Sequence, residues 1–153
     1  ALAVDADGVH VGQDDMPTTL ARQLIGPNKI MGVSASTVEE ALQAEREGAD
    51  YVSASPVFTT PTKPDAPPPT GLEGLSAIVE AINLPVIAIG GINERNVREV
   101  IEAGAHGVAV ISAVVSAPDI ATATRRLREI VEAARKGVRC ASPRSANSAS
   151  STA

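Results

Sequence analysis

Pro85-Val86-Ile87-Ala88-Ile89-Gly90-Gly91-Ile92-Asn93 is the stretch whose reading decides the fold. Four consecutive apolar residues stand between a proline and a glycine pair. That length and those boundaries read as a short strand, Pro85–Gly90. An amphipathic stretch, Glu94–Ala103, follows with Asn93 placed to cap it. The apolar pattern then returns at Gly107–Ser112. A strand, a helix and a second strand joined by short turns form a βαβ unit, and such units build parallel sheets covered by helices.

The same pattern extends outward in both directions. Further strands are expected at Gly8–Gly12, Lys29–Ser34 and Tyr51–Ser55. Helical spacing predicts Pro17–Ile25, Thr37–Glu47, Gly71–Ile82 and Pro118–Lys136. Thr37-x-x-Glu40 reads as a capping box. Leu72, Leu75, Ile78, Val79 and Ile82 fall on one face of the third helix. Ile120, Leu127, Ile130, Val131 and Ala134 do so on the last. Gly48 and Gly104 suit the left-handed position after a helix.

Five βα units result. Both the doubly wound sheet and the (β/α)₈ barrel use such units, and the unit length here suits the barrel. Five units do not close one, since a whole barrel takes at least ~200 residues. The expectation is therefore a (β/α)₈ TIM barrel of which this chain carries about the last five units, with about three more upstream. The sequence opens without Met, and Ala1–Asp7 reads as the last turn and a half of a helix. Residues 1–136 form the barrel portion in this reading. Residues 137–153, rich in Ser and Ala, form a disordered tail with Cys140 as an inert exposed thiol.

Composition narrows the function. Of 153 residues, 18 are acidic and 13 basic, so a net charge of −5 disfavours general nucleic-acid binding. Hydrophobic residues at 44% are too many for disorder throughout. One cysteine cannot form an internal disulfide. No apolar run approaches the roughly 18 residues of a membrane span.

In barrels, chemistry gathers at the C-terminal ends of strands. Gly90, Gly91 and Ser112 offer uncovered amides and a hydroxyl after the last two strands, where barrels often hold phosphate. The alternative is a tight turn, and the position of the pair favours phosphate. Asp14 and Asp15 suit Mg²⁺ shared with substrate phosphates. They also suit the dipole of the helix they precede, and that reading stands slightly ahead. Lys63 lies in a long proline-rich loop beside Thr60 and Thr62, a set fit for phosphate. A solvated lysine is the bland alternative, against which the length and proline content of the loop argue. Ser34 has no His or Asp at hydrolase spacing, which argues against nucleophilic catalysis. His10 alternates with valines and is expected to face the barrel as a satisfied interior histidine. His106 reads as structural.

Taken together, these strand ends resemble the thiamine-phosphate synthase family. The resemblance is carried by Gly8-Val9-His10-Val11-Gly12-Gln13-Asp14-Asp15, Gly32-Val33-Ser34, Pro56-Val57-Phe58-Thr59-Thr60-Pro61-Thr62-Lys63, Ala88-Ile89-Gly90-Gly91-Ile92 and Gly107-Val108-Ala109-Val110-Ile111-Ser112. It runs from about Ala1 to Pro118, with the Thr-x-Thr-Lys loop its most specific part. It implies a transferase of thiamine biosynthesis that joins hydroxymethylpyrimidine diphosphate to a thiazole phosphate and releases pyrophosphate, with Mg²⁺ as cofactor.

Carried over by position, Asp15 matches a metal ligand. Ser34 matches a catalytic and pyrimidine-contacting residue. Thr60 and Thr62 match thiazole phosphate contacts, and Lys63 a catalytic residue on the diphosphate. Gly91, Ile111 and Ser112 match the amide cradle for the thiazole's phosphate. The resemblance also implies small-molecule partners, no nucleic acid, no membrane, a cytoplasmic or plastid setting, and room for homo-oligomers. The family's upstream Gln, Arg and Lys, and its Asn-Asp pair, have no counterpart in this chain. Tyr51-Val52-Ser53-Ala54-Ser55 carries serines where the family shows smaller residues. Two other readings are a thiazole tautomerase-like isomerase, against which Asp15 and Lys63 speak, and an inactive phosphate-binding fragment.

Overall fold

The computed structural model describes residues 1–141. After a short 3-10 turn at Leu2–Val4 come β1 (Gly8–Val11), α1 (Thr18–Ile25), β2 (Ile30–Ala35), α2 (Val38–Arg46), β3 (Tyr51–Ala54) and α3 (Gly71–Ala81). Then follow β4 (Val86–Ile89), α4 (Val97–Glu102), β5 (Gly107–Ala109), α5 (Ser112–Val115) and α6 (Ile120–Ala141). The five strands form one parallel sheet in the order β1-β2-β3-β4-β5. This is the α/β, TIM-barrel-like arrangement expected from the alternation.

The core lies between the sheet and its helices. Val33, Ala35, Val52, Ala54, Val86 and Ala88 point from the strands to Ala41 and Ala44 of α2, Leu75 and Ile78 of α3, Val97, Val100 and Ile101 of α4, and Leu127 of α6. Small residues on the sheet let the helices settle close. Along each strand the alternate residues face the other way, so register aligns His10 with Gly32, Gly32 with Tyr51, and Ser34 with Ser53. Chemistry-bearing side chains therefore share the face that a barrel would turn inward.

Local signals explain most boundaries. The Thr37 hydroxyl accepts from the Glu40 amide at 3.2 Å, as an N-cap should. The return bond of the expected capping box is displaced, however. Glu40 Oε2 accepts from the amide and hydroxyl of Ser36 instead of the Thr37 amide. Arg22 of α1 donates to the carbonyls of Gly26, Lys29 and Gly48 and pairs with Asp50 at 2.6 Å, tying α1 to the ends of β2 and α2.

Several expectations change. The helix expected over Glu94–Ala103 begins at Val97, because the Asn93 Oδ1 accepts from Arg95 N and the Asn96 Oδ1 accepts from Asn93 N. Asn93 therefore makes an Asx turn and is not the N-cap. The apolar run Gly107–Ser112 is a three-residue strand followed by a bend, and Ser112 opens the unforeseen α5. Ile120 is 54% exposed, and Ala123 is the buried residue of that turn. The last helix passes its expected end at Lys136 and includes Gly137, since Val138–Ala141 carries no proline to stop it. The rest of the expected tail, 142–153, and the side chain of Cys140 lie outside the described residues. Among the described residues no helix is long and apolar enough to cross a membrane.

Candidate active site

The C-terminal rim of the sheet carries two clefts. The first, about 160 Å³, lies beyond β4 and β5 and is lined by Thr60, Thr62, Lys63, Gly91, Ile111 and Ser112 among others. Residues from three strand ends, read separately in the sequence, meet here. Among the described residues, the amides of Gly91, Ile111 and Ser112 have no carbonyl or side-chain acceptor. Three unengaged donors around one cleft suit an anion.

Gly90 and Gly91 have a second reason to be glycine. Both take positive φ, +102° and +65°. A Cβ on Gly90 would sit 2.5 Å from Pro56 Cβ and 2.8 Å from Pro56 Cα. One on Gly91 would sit 2.7 Å from Phe58 Cβ and from the Thr59 carbonyl oxygen. The loop start Pro56–Thr59 lies directly over the pair, fastened by Val57 N to Ile89 O at 2.8 Å and Phe58 N to Gly90 O at 3.0 Å. Turn and phosphate readings are therefore compatible. The bare backbone both leaves amides open and lets the Thr60–Lys63 loop dock. The Thr60 Oγ1 accepts from Thr62 N at 3.2 Å, which curls the loop toward the cleft.

The second cleft, about 310 Å³, lies beyond β1 and β2 and includes Gln13, Asp14, Ser34, Ser36 and Lys63 in its wall. Lys63 lines both clefts. Ser34 is held from two sides. Its carbonyl accepts from Gln13 Nε2 at 2.6 Å, and its hydroxyl lies 2.9 Å from His10 Nε2. His10 Nδ1 lies 2.9 Å from the Tyr51 hydroxyl. Burial lowers the His10 pKa below the ordinary 6.5, with the Asp15 carboxylate pulling the other way. His10 is hydrogen-bonded on the inner side as expected, but it is exposed and not interior, because β1 is the edge strand of the sheet.

Asp15 turns its Oδ2 back to the Gly12 amide at 2.7 Å, while Asp14 reaches the cleft wall. Among the described residues no three His, Cys, Asp or Glu side chains gather to hold a metal. One or two carboxylates fit Mg²⁺ that shares its remaining positions with water and substrate phosphate. They do not make an all-protein cage.

A family model described as thiamine monophosphate synthase matches residues 1–114. The chain belongs to the thiamine monophosphate synthase family. Within that family, the chain is 61% identical over 131 residues to the thiamine-phosphate synthase of Chloroflexus aurantiacus, covering 86% of this chain and 60% of the relative. It is 58% identical over 135 residues to that of Moorella thermoacetica, covering 88% and 64%. The thiamine phosphate pyrophosphorylase structure of Pyrococcus furiosus superimposes with a TM-score of 0.80 at 54% identity, covering 87% of this chain and 63% of that one. A 3-hexulose-6-phosphate synthase structure at 24% identity and a TM-score of 0.63 shares the fold alone. The chain spans about three fifths of the length of these synthase relatives.

For this thiamine monophosphate synthase family member, the structure groups Thr60, Thr62, Lys63, Gly91, Ile111 and Ser112 in one cleft. It places Ser34 and Asp14 in the other. Asp15 stands at the edge of the second. His106 is structural as expected: its Nδ1 accepts from Val86 N, and its amide donates to Val86 O. The sequence reading missed the partner of Ser34. His10 lies 24 positions away in sequence but on the neighbouring strand. Gln13 and Tyr51 were likewise unassigned. The signal was available in two aligned strands, Gly8-x-His10 and Gly32-x-Ser34, whose alternate residues face the same side.

Proposed function

We propose that this chain carries the C-terminal five βα units of a (β/α)₈ thiamine-phosphate synthase, residues 1–136, and that about three upstream units complete the barrel. The reaction is the condensation of hydroxymethylpyrimidine diphosphate with thiazole phosphate to thiamine phosphate and pyrophosphate. One observation carries this reading: Lys63 stands between a cleft with three open amides and a cleft with Ser34 and Asp14. Two phosphorylated substrates that must meet need two adjacent anion sites.

In this reading the Gly91, Ile111 and Ser112 amides hold the thiazole's phosphate, with Thr60 and Thr62 closing on it. Ser34 contacts the pyrimidine substrate near its diphosphate. Lys63 sets a fixed positive charge beside the leaving group and stabilises it as the carbon–oxygen bond breaks. The thiazole nitrogen then donates its electron pair to the pyrimidine methylene. Asp15, with Asp14 beside it, would hold Mg²⁺. When bound, the ion supplies further charge compensation to pyrophosphate.

A coupling assay tests this. It contains both substrates, with Mg²⁺ present or chelated, and detects thiamine phosphate. The soluble chain is expected to form product only when the upstream segment is added, with both Mg²⁺ and Lys63 required. No product with the upstream segment present would overturn the synthase reading and favour the isomerase.

A further inference from the structure

We propose that His10, set by Tyr51 in the Nε2–H tautomer, is a positioning residue that turns the Ser34 hydroxyl proton into the cleft, making Ser34 a donor to a substrate diphosphate oxygen. The proposal rests on the reading of the second cleft given above and goes beyond it by assigning the direction of one proton.

The geometry is a linear relay. Tyr51 Oη, His10 Nδ1, His10 Nε2 and Ser34 Oγ follow one another with two contacts of 2.9 Å. In a neutral imidazole one nitrogen donates and the other accepts. A phenol, with a pKa of about 10, is a much stronger donor than an aliphatic hydroxyl and a weaker acceptor than imidazole nitrogen. Tyr51 therefore donates to Nδ1, and the proton on Nε2 goes to Ser34 Oγ. With a lone pair of Ser34 so engaged, its own proton is free to point toward the cleft. The opposite polarity would leave Ser34 presenting only lone pairs to the cleft, which repel an anion.

The relay is built into the sheet. A Cβ on Gly32 would fall 2.1 Å from Tyr51 Cζ and 2.4 Å from His10 Nδ1, so the glycine opens the gap in which the His10–Tyr51 contact lies. Gln13 fixes the Ser34 backbone independently through its carbonyl. Neither His10 nor Tyr51 lines the second cleft, so their effect on a ligand there passes through Ser34.

Two measurements on the full chain test this. Long-range ¹H–¹⁵N NMR at neutral pH reads the tautomer directly. The chain has two histidines, and His10→Gln assigns the signals. A neutral Nε2–H His10 is expected, and Tyr51→Phe, which keeps the ring, should mix the two tautomers. Calorimetric titration with inorganic pyrophosphate and Mg²⁺ then reads the consequence. Loss of a charge-assisted donor in Ser34→Ala should weaken binding about tenfold, and Tyr51→Phe should weaken it several-fold, on the order of half that effect in free energy.

A neutral Nδ1–H tautomer, an imidazolium, or a tautomer indifferent to Tyr51→Phe would overturn the proposal. So would parent-like affinity in Tyr51→Phe and Ser34→Ala alongside lost binding in Lys63→Ala, a pattern that leaves the reading of the cleft standing. A parent chain that binds no pyrophosphate would overturn the reading of the cleft and the donor role with it.

Discussion

The two halves of the rim are built from different materials. Beyond β4 and β5 the strand ends offer backbone: Gly91, Ile111 and Ser112 present amides, and the polar side chains Thr60, Thr62 and Lys63 come from the loop above. Beyond β1 and β2 the wall is side chain: Gln13, Asp14, Ser34 and Ser36 reach in, with His10 and Tyr51 behind. The backbone half is tied to the packing of the loop above it. Its glycines answer to Pro56 and Phe58 as much as to any ligand. The side-chain half is layered, so one residue can be exchanged without moving a strand. Binding and stability should therefore be inseparable in the first half and separable in the second.

The sharpest way to break that contrast is Gly90→Ala. The new methyl group meets Pro56 main chain at a positive φ, and neither can yield cheaply. A loss of about 3 kcal/mol in urea unfolding is expected, with anion binding lost in parallel. A variant that folds as the parent does would remove the packing half of the argument. Next is Lys63→Ala, the residue common to both clefts. On the proposed reading it should cut synthase turnover of the completed barrel by about 100-fold while leaving the unfolding free energy within about 0.5 kcal/mol.

Thr37→Ala then probes the support behind the side-chain half. Removing the N-cap of α2 should cost about 1 kcal/mol with pyrophosphate affinity unchanged. If affinity falls as well, the layers are coupled and the contrast narrows. The smallest effect is expected at Asp50, at the opposite end of the sheet. Burial pushes its carboxyl up, but the Met31 amide and the Arg22 guanidinium outweigh that and hold its pKa below the usual range. Its contribution is present above the unfolded pKa of about 3.9 and is lost as pH falls through the lower folded value. The side chain is half exposed, so screening keeps the contribution below about 1 kcal/mol. Acid titration of unfolding should be slightly shallower below pH ~4 in Asp50→Asn.

Much of this was legible in the sequence because the βα alternation has two clean periods. All five expected strands and all five expected helices are present in order, with β5 and α4 shorter than apolar spacing places them. What escaped was short or non-local. The run Val108–Ile111 is apolar throughout, so its pattern cannot show where β5 ends and the bend before α5 begins. Glu94–Asn96 has acceptable helix composition, but the Asn93 side chain takes the Arg95 amide and the Asn96 side chain takes the Asn93 amide, which delays α4. In the site, the open amide of Gly91 was readable because glycine leaves its backbone uncovered. The packing role of the pair was not, since nothing in Gly90-Gly91 names Pro56 as the neighbour. The His10–Ser34 contact needed the register of two strands, which hydrophobic spacing along a single strand does not supply.

Each strand of the sheet pairs only with those before and after it in sequence. Stability along such a stack behaves as a chain of nearest-neighbour couplings, as in repeat proteins. Loop closure stays confined to one unit at a time, which keeps the entropic barrier to folding low for a parallel sheet. Amide hydrogen exchange should accordingly be slowest at β3, flanked on both sides by two further strands, and quicken toward β1 and β5. The two clefts lie on opposite flanks of that maximum, and Lys63, in the loop that follows its most protected strand, joins them.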